Sequence, residues 1–254
     1  LIKSPQQMMG TLIKTYFADK NKIDPEQIFS VSIMPCLAKK YEAQRDEHNY
    51  NNPFVDSVLS TRELIKLIKM NSIDFFKVIP EAFDQPFSLK SSASTLYSIT
   101  GGVAEAILRN LLYILSNKEP SEIKFSKLRG FKGIKDINIK IENFNIDFAV
   151  INGQGNVKDF LNEMQKNNKV YDFVEVMSCE GGCINGGGQS LKSSDDKIKS
   201  RAKIVYDNDE RDIINASYKN SFIIDLYDNY LIKPNSEKCI DLFFTTYKPK
   251  TVLN

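Results

Sequence analysis

Tryptophan is absent, histidine occurs once, and no apolar run approaches the length of a membrane span. Charge of neither sign dominates, since 34 Lys+Arg stand against 32 Asp+Glu, for a net charge of +2. Such a balance disfavours a dedicated nucleic-acid binder, which needs a basic face. With His48 as the sole imidazole, a histidine-built zinc or copper site has little to draw on. A Ser-His-Asp triad would have to use His48, and no nucleophile elbow lies near it. Four cysteines in 254 residues are too few for a disulfide-stapled secreted scaffold. No signal peptide precedes the first helical pattern. A cytoplasmic protein with no membrane and no nucleic-acid partner is therefore expected. Leu1 in place of Met predicts that the sequence starts inside a longer protein or after processing.

What is present alternates strand and helix patterns. Residues 4–18 read as an amphipathic helix, with Ser4 as cap, Pro5 at the first helical position and Gln7 completing a capping-box pattern. FSVSIM (29–34) reads as a short buried strand ended by Pro35, and LAKKYEAQRDE (37–47) as the helix leaving it. The polar stretch 49–60 reads as a loop. Ser60 and Glu63 announce a further helix over ELIKLIKM. Residues 71–99 read as irregular. TGGVAEAILRNLLYIL (100–115) is an apolar helix entered through a glycine pair, and 118–144 suggest short, partly exposed strands with a wet, lysine-rich face. NIDFAVI (145–151), NVKDFLNEMQKN (156–167) and YDFVEVM (171–177) form the clearest unit, a strand–helix–strand crossover joining parallel strands. The tail from 207 to 247 is helical in pattern. The expected class is α/β, with a parallel or mixed sheet flanked by helices, in one domain spanning 1–254.

Three cysteines sit where strands end. Cys36 follows FSVSIMP, Cys179 follows YDFVEVMS, and Cys183 lies four residues later in CEGGCINGGGQS. Ligand sites in open parallel sheets gather at the carboxyl ends of strands. Five of the 12 glycines fall between Gly181 and Gly188, so backbone N–H groups can approach a bulky group closely. Thiolates together with N–H donors to sulfur are what an iron–sulfur cluster requires. Taken alone, Cys36 reads as a core residue. Cys239, within a helical pattern, reads as packing. Soft thiolates without histidine leave iron–sulfur and zinc as the metal options. Lys39 and Glu42 occupy the first turns after Cys36, as a crevice-facing donor steered by a carboxylate or as an exposed ion pair. Met34 and Met177 flank the cysteine loops, as soft lining or core filler. His48 reads as a solvated loop residue. Gly153 and Gly155 lack the third glycine of a dinucleotide fingerprint and carry little weight.

These segments resemble a known family. SVSIMPCLAKKYEAQRDE resembles the M-P-C-x-x-K-x-x-E motif of iron-only hydrogenases, and EVMSCEGGCINGGGQS resembles their M-A-C-P-G-G-C-x-x-G-G-G-Q-P motif. SPQQMMGTLIKTYFA, VDSVLSTREL, TGGVAEAILR and SEKCIDLFFTTY are similar to further family segments. The resemblance implies the C-terminal fold of the iron-only hydrogenase large subunit, with cluster-binding loops at the carboxyl ends of strands. It implies an H-cluster, a 4Fe-4S cubane joined to a di-iron unit carrying CO, cyanide and a dithiolate. By motif position Cys36 and Cys179 ligate the cubane and Cys183 bridges to the di-iron unit. Lys39 matches the cyanide-binding lysine and Glu42 the family glutamate. Met34, Pro35, Met177, Gln6, Gly181 and Gly182 match pocket positions. The implied reaction is reversible reduction of protons to dihydrogen with electrons from ferredoxin, after maturation proteins supply the di-iron unit. The location this implies is cytoplasmic, or hydrogenosomal in an anaerobic eukaryote.

Departures from the pattern carry their own expectations. The family's first cysteine motif, T-S-C-C/S-P-G-W, has no match here, so one cubane ligand and the proton-relay cysteine are expected on a missing N-terminal segment or subunit. Glu180, Ser178 and Ser190 replace the usual Pro, Ala and Pro. A fragment or subunit that does not hold the complete cofactor alone is therefore expected. The alternatives are a prelamin-recognition-factor-like cluster-assembly protein, a hydrogenase-like sensor, and an α/β domain with structural zinc.

Overall fold

Ser4 opens the first helix, α1 (Pro5–Leu12), because its hydroxyl accepts the Gln7 N–H while Pro5 fills a position that needs no donor. The helix runs on through one π turn into α2 (Ala18–Asn21), ended by Lys22 in the left-handed region. The computed structural model describes residues 1–249 except 51, 83, 85, 86, 88, 89, 122 and 192. Cα proximity divides the chain into two units, Leu1–Phe87 with Ile224–Asn254, and Ser88–Ile223.

In the first unit β1 (Val31–Met34) leads through Pro35 and Cys36 to α3 (Ala38–Ala43). A small antiparallel ladder, β2 (Asn49–Tyr50) with β3 (Asn52–Pro53), precedes β4 (Ser57–Ser60). β4 pairs in parallel with β1, Val31 opposite Ser57 through Met34 opposite Ser60. The loop expected over 49–60 thus hides a strand, because its flanking serines mask an alternation in which only Val58 and Ser60 turn inward. β1 is a strand as expected, yet Val31 and Ile33 are 49% and 55% exposed rather than buried. A two-stranded sheet covers only one of its faces. Ser60 and Glu63 form both halves of a capping box on α4 (Thr61–Met70), as their spacing predicts.

The second unit begins with α5 (Ser92–Leu96) inside the stretch read as irregular, part of which lies outside the described residues. α6 (Gly102–Ser116) starts on the second glycine of the pair, with Gly101 as its cap position. Of the strands expected over 118–144, β5 (Ile134–Ile141) forms, and the described residues of 118–133 hold no strand, only a turn at 126–128 amid irregular chain. β5 pairs antiparallel with β6 (Phe144–Asn152), which pairs in parallel with β7 (Phe173–Met177) after the crossover helix α7 (Val157–Asn167). Phe148 and Val150 of β6 pack toward α6 with Leu108 and Ile137, while Ala149 and Ile151 join Phe160 of α7. Burial on both faces explains why FAVI reads as a continuous apolar run. α8 (Asp195–Arg211) starts twelve residues before the expected helical tail and packs Ala202 and Val205 on Leu96, Ile99 and Ile184.

α8 is also tied by charge. Asp209 accepts from Arg109 at 2.7 and 2.8 Å, from Ser92 at 2.7 Å and from Arg129 at 3.0 Å. Glu105 accepts from Arg109 at 2.6 Å and from Arg129 at 2.7 and 2.8 Å. Two arginines face two carboxylates, so this closed cluster is neutral despite its burial. α9 (Ser221–Leu226) carries the chain back to the first unit, and α10 (Glu237–Phe243) lies there against α1. The Lys3 N–H donates to Phe243 O at 2.8 Å and the Thr245 N–H to Leu1 O at 2.9 Å. Cys239 is buried in α10 with its thiol toward Lys233 O, the packing role its pattern predicts.

Asp209→Asn strips one charge from this cluster and leaves Arg109 buried without its full counter-charge. Chemical denaturation should show a loss of about 3–5 kcal/mol, against about 1 kcal/mol for Ser92→Ala. Equal losses for the two variants would refute the charge-balance account.

Candidate metal centre

The cysteine loop of the second unit grows out of β7. Its parallel partner β6 ends at Asn152, and the two strand ends stay stitched beyond the ladder: Gly153 N–H donates to Met177 O at 2.8 Å and Gln154 N–H to Ser178 O at 3.0 Å. Asn152 Oδ1 then accepts the buried Gly181 N–H at 2.7 Å. Within the loop Gly182 N–H closes on Cys179 O at 3.0 Å and Gly186 N–H on Cys183 O at 2.9 Å. Gly182 has φ +88°, and an added Cβ there would lie 2.8 Å from the Thr100 nitrogen. Only glycine permits that approach. The loop is clasped from below, with Thr100 N–H donating to Gly181 O at 3.2 Å and Ile184 N–H to Ser98 O at 2.9 Å. Cys179 and Cys183 are half-buried, as is Met177.

The turn beneath the loop has its own anchor. Glu175, buried on β7, accepts the Gly101 N–H at 2.6 Å and the Ala104 N–H at 2.8 Å, capping α6, whose glycine entry supplies no capping side chain. Burial pushes its carboxyl up, opposed by those N–H groups and by the nearby Lys135 charge. Lys135 is buried too, the one departure from the wet face expected of these lysines, since Lys124, Lys127, Lys132 and Lys140 are exposed; burial pulls its pKa down to about 8. Its ammonium donates to Leu128 O at 2.7 Å and Gly130 O at 2.6 Å.

In the first unit Cys36 lies two residues beyond β1, half-buried with Met34 and Pro35. Lys39 reaches both Glu42 oxygens at 3.0 Å, with the two side chains 25% and 16% exposed. This is a half-buried ion pair, between the two readings the spacing offered. Glu42 also accepts from Ser4 at 2.8 Å. Gln6 joins the cluster, donating to Lys39 O at 3.3 Å and accepting from Ser32 at 2.9 Å. Side chains from the start of α1 and from β1 thereby hold Lys39 and Glu42 on the helix that follows Cys36.

The three thiols are outside any disulfide, and the donor set is soft and sulfur-rich. Among the described residues no three of His, Cys, Asp and Glu gather as a single-ion site. Thr100 offers a second sign of fit. It is wholly buried against the 179–183 loop, and its hydroxyl has no hydrogen-bond partner. A buried donor without an acceptor is costly unless a bound group supplies one. Residue patterns do not single out Thr100 or Glu175, because only the folded chain puts them under the loop.

The fold and loops define an α/β protein with soft thiol donors on cysteine loops at strand ends. The family described as iron only hydrogenase large subunit, C-terminal domain, matches residues 1–187, and the iron hydrogenase small subunit family matches 195–250. The chain belongs to the iron-only hydrogenase family. It is 40% identical over 247 residues to the NADP-reducing hydrogenase subunit HndD of Solidesulfovibrio fructosivorans, covering 96% of this chain and 42% of that protein. It is 34% identical over 272 residues to the probable cytosolic Fe-S cluster assembly factor narfl of Dictyostelium discoideum, covering 90% of this chain and 51% of that one. An apo FeFe-hydrogenase from Chlamydomonas reinhardtii superposes with a TM-score of 0.81 at 31% identity, covering 97% of this chain and 69% of that chain. The chain thus spans about half the length of the curated relatives it matches. Among the described residues no helix is long and apolar enough to cross a membrane.

His48 departs from the solvated loop position expected of it. It is 1% exposed, edge-on to Tyr247, and neither ring nitrogen has a partner. Burial pulls its pKa below the ordinary 6.5. The unfolded chain therefore binds the proton first, so stability should fall as pH drops below about 6.5. Thermal melts from pH 8 to pH 5 should show this loss, reduced in His48→Phe; an unchanged slope in the variant would refute the assignment.

Proposed function

We propose that this chain is the part of an iron-only hydrogenase that holds the H-cluster, for reversible reduction of protons to dihydrogen with electrons from ferredoxin. The observation that carries this reading is the glycine-lined 179–183 loop, locked to β6 and the 98–101 turn and presenting two half-buried thiols at a strand end. Cys36 and Cys179 would hold the 4Fe-4S cubane, and Cys183 would be the shared thiolate. Gly181 and Gly182 would bring the backbone close, while Met34, Pro35 and Met177 line the site with apolar surface that excludes water. Lys39, steered by Glu42 and Gln6, would supply an N–H donor to a cyanide ligand. When bound, the group supplies redox-active iron and an internal base for splitting or forming dihydrogen; the protein holds and dries it. Maturation proteins would deliver the di-iron unit, and a further segment or subunit would supply the remaining cubane ligand. Solved relatives include one described by stepwise assembly of its H-cluster.

The second reading is a cluster-assembly factor that binds iron and sulfide without making dihydrogen. Its support is the 34% identity to the Dictyostelium assembly factor across most of this chain.

Anaerobic expression with the maturation proteins, followed by infrared spectroscopy and a dihydrogen assay, separates the two. CO and cyanide stretches are expected if the hydrogenase reading holds, and iron with sulfide but no such bands would favour the assembly factor. Cys36→Ser, Cys179→Ser and Cys183→Ser should each lower iron per chain, whereas Cys239→Ser should leave it unchanged. Equal iron in all four variants would sink the ligand assignment.

A further inference from the structure

The loop that carries Cys179 and Cys183 rests on a floor made by the 98–102 turn. The 98–102 turn passes so close beneath it that a Cβ on Gly182 would meet both Ile99 and Thr100 backbone atoms within 3.0 Å. The turn is tight against its other side as well. A Cβ on Gly101, at φ +85°, would lie 1.9 Å from Leu128 O, the carbonyl that Lys135 grips. Neither contact leaves room for adjustment, so the height of the floor is set by whatever fixes residues 100–104. That is the Glu175 carboxylate, one oxygen on Gly101 N–H and the other on Ala104 N–H. Glu175 sits on β7 four residues before Cys179, so a single short segment carries both the cysteine loop and the clamp on its floor.

Thr100 occupies the middle of this floor. Its N–H is spent on Gly181 O, it has no exposed surface, and its hydroxyl is unpartnered. A threonine hydroxyl usually satisfies itself on a nearby carbonyl, and burial without an acceptor destabilises the empty chain. An anionic, sulfur-rich group above the loop would supply the acceptor.

We propose that Glu175 is a positioning residue for the cysteine loop, and that Thr100, held by the turn Glu175 clamps, donates its hydroxyl to a sulfur of the group bound by Cys179 and Cys183. This rests on the iron–sulfur reading of the site. It assigns the glutamate and the threonine functions beyond cysteine ligation.

Two arms test it on the full chain. In the first, the metal-free chain is alkylated with iodoacetamide and each cysteine is followed by mass spectrometry. Glu175→Gln replaces one accepting oxygen with a donor. Cys179 and Cys183 should then react about tenfold faster, the change expected when one charge-assisted hydrogen bond ceases to hold a loop closed. Cys36 and Cys239 serve as controls and should keep their rates. Acceleration of the buried Cys239 to the same degree would mean general loss of fold, and unchanged rates at Cys179 and Cys183 would mean no positioning; either overturns the claim for Glu175.

In the second arm Thr100→Val and Thr100→Ser are compared with and without iron and sulfide. Thr100→Val should raise the melting temperature of the metal-free chain, because an unpaired buried hydroxyl is removed. In the reconstituted chain it should move the cluster midpoint potential, followed by EPR, to a more negative value, because a hydrogen bond to sulfur favours the reduced cluster. Thr100→Ser should match the parent in the potential. A lower melting temperature in metal-free Thr100→Val, or an unshifted potential, overturns the claim for Thr100. If the parent chain takes up no iron and sulfide, the iron–sulfur reading and the Thr100 donation fall together, while the alkylation arm still decides the role of Glu175.

Discussion

Two stretches of backbone, 98–102 and 179–184, pass within a distance that admits no side chain between them, and the candidate site depends on that approach. Gly182 permits it, the N–H of Thr100 and of Ile184 fasten it, and Glu175 fixes the level of the lower stretch. A loop carrying two thiols is entropically expensive to hold still. Here the cost is offset by backbone hydrogen bonds to the end of β6 and to the turn below, and by the buried bond from Gly181 N–H to the Asn152 side chain. The cysteines are pre-organised by their neighbours' backbone more than by their own packing.

The second unit invests heavily in buried polarity. Glu175 clamps the turn under the loop, Lys135 holds the 128–130 turn, and Glu105, Arg109, Arg129 and Asp209 knit α6 to α8. Buried charges add little net stability over apolar packing, yet a broken pair is costly, so such clusters reward one arrangement over its near alternatives. α8 is the first element of the segment matched by the small-subunit family, and it meets the rest of its unit through that closed cluster. The same segment contributes α10 to the first unit, where it packs on α1. The first unit has its own version of the device, in which Ser4, Gln6, Ser32, Lys39 and Glu42 share hydrogen bonds around the helix that follows Cys36.

Much of this was legible in order along the chain. Capping at Ser4 and Ser60, the β6–α7–β7 crossover, the apolar helix after the glycine pair and the two cysteine loops all carry short-range signals. β4 was not legible, because a four-residue strand flanked by serines shows no apolar alternation and gains its hydrogen bonds only from β1. The burial of His48 and Lys135 was hidden for a related reason. Each lies in a polar stretch; the histidine is covered by Tyr247, far along the chain, and the lysine by the carbonyls of the nearby 128–130 turn, which only the fold brings over it.

By itself the sequence determined the capped helices, the β6–α7–β7 crossover, where the thiols fall relative to strand ends, and which family the motifs resemble, since those properties depend on residues a few positions apart. Tertiary structure alone decided which charges are buried, which partner neutralises each, and that a threonine hydroxyl is left without one beneath the cysteine loop. Those outcomes depend on the distance between segments tens of residues apart, and that distance is fixed only when both are packed against the same core.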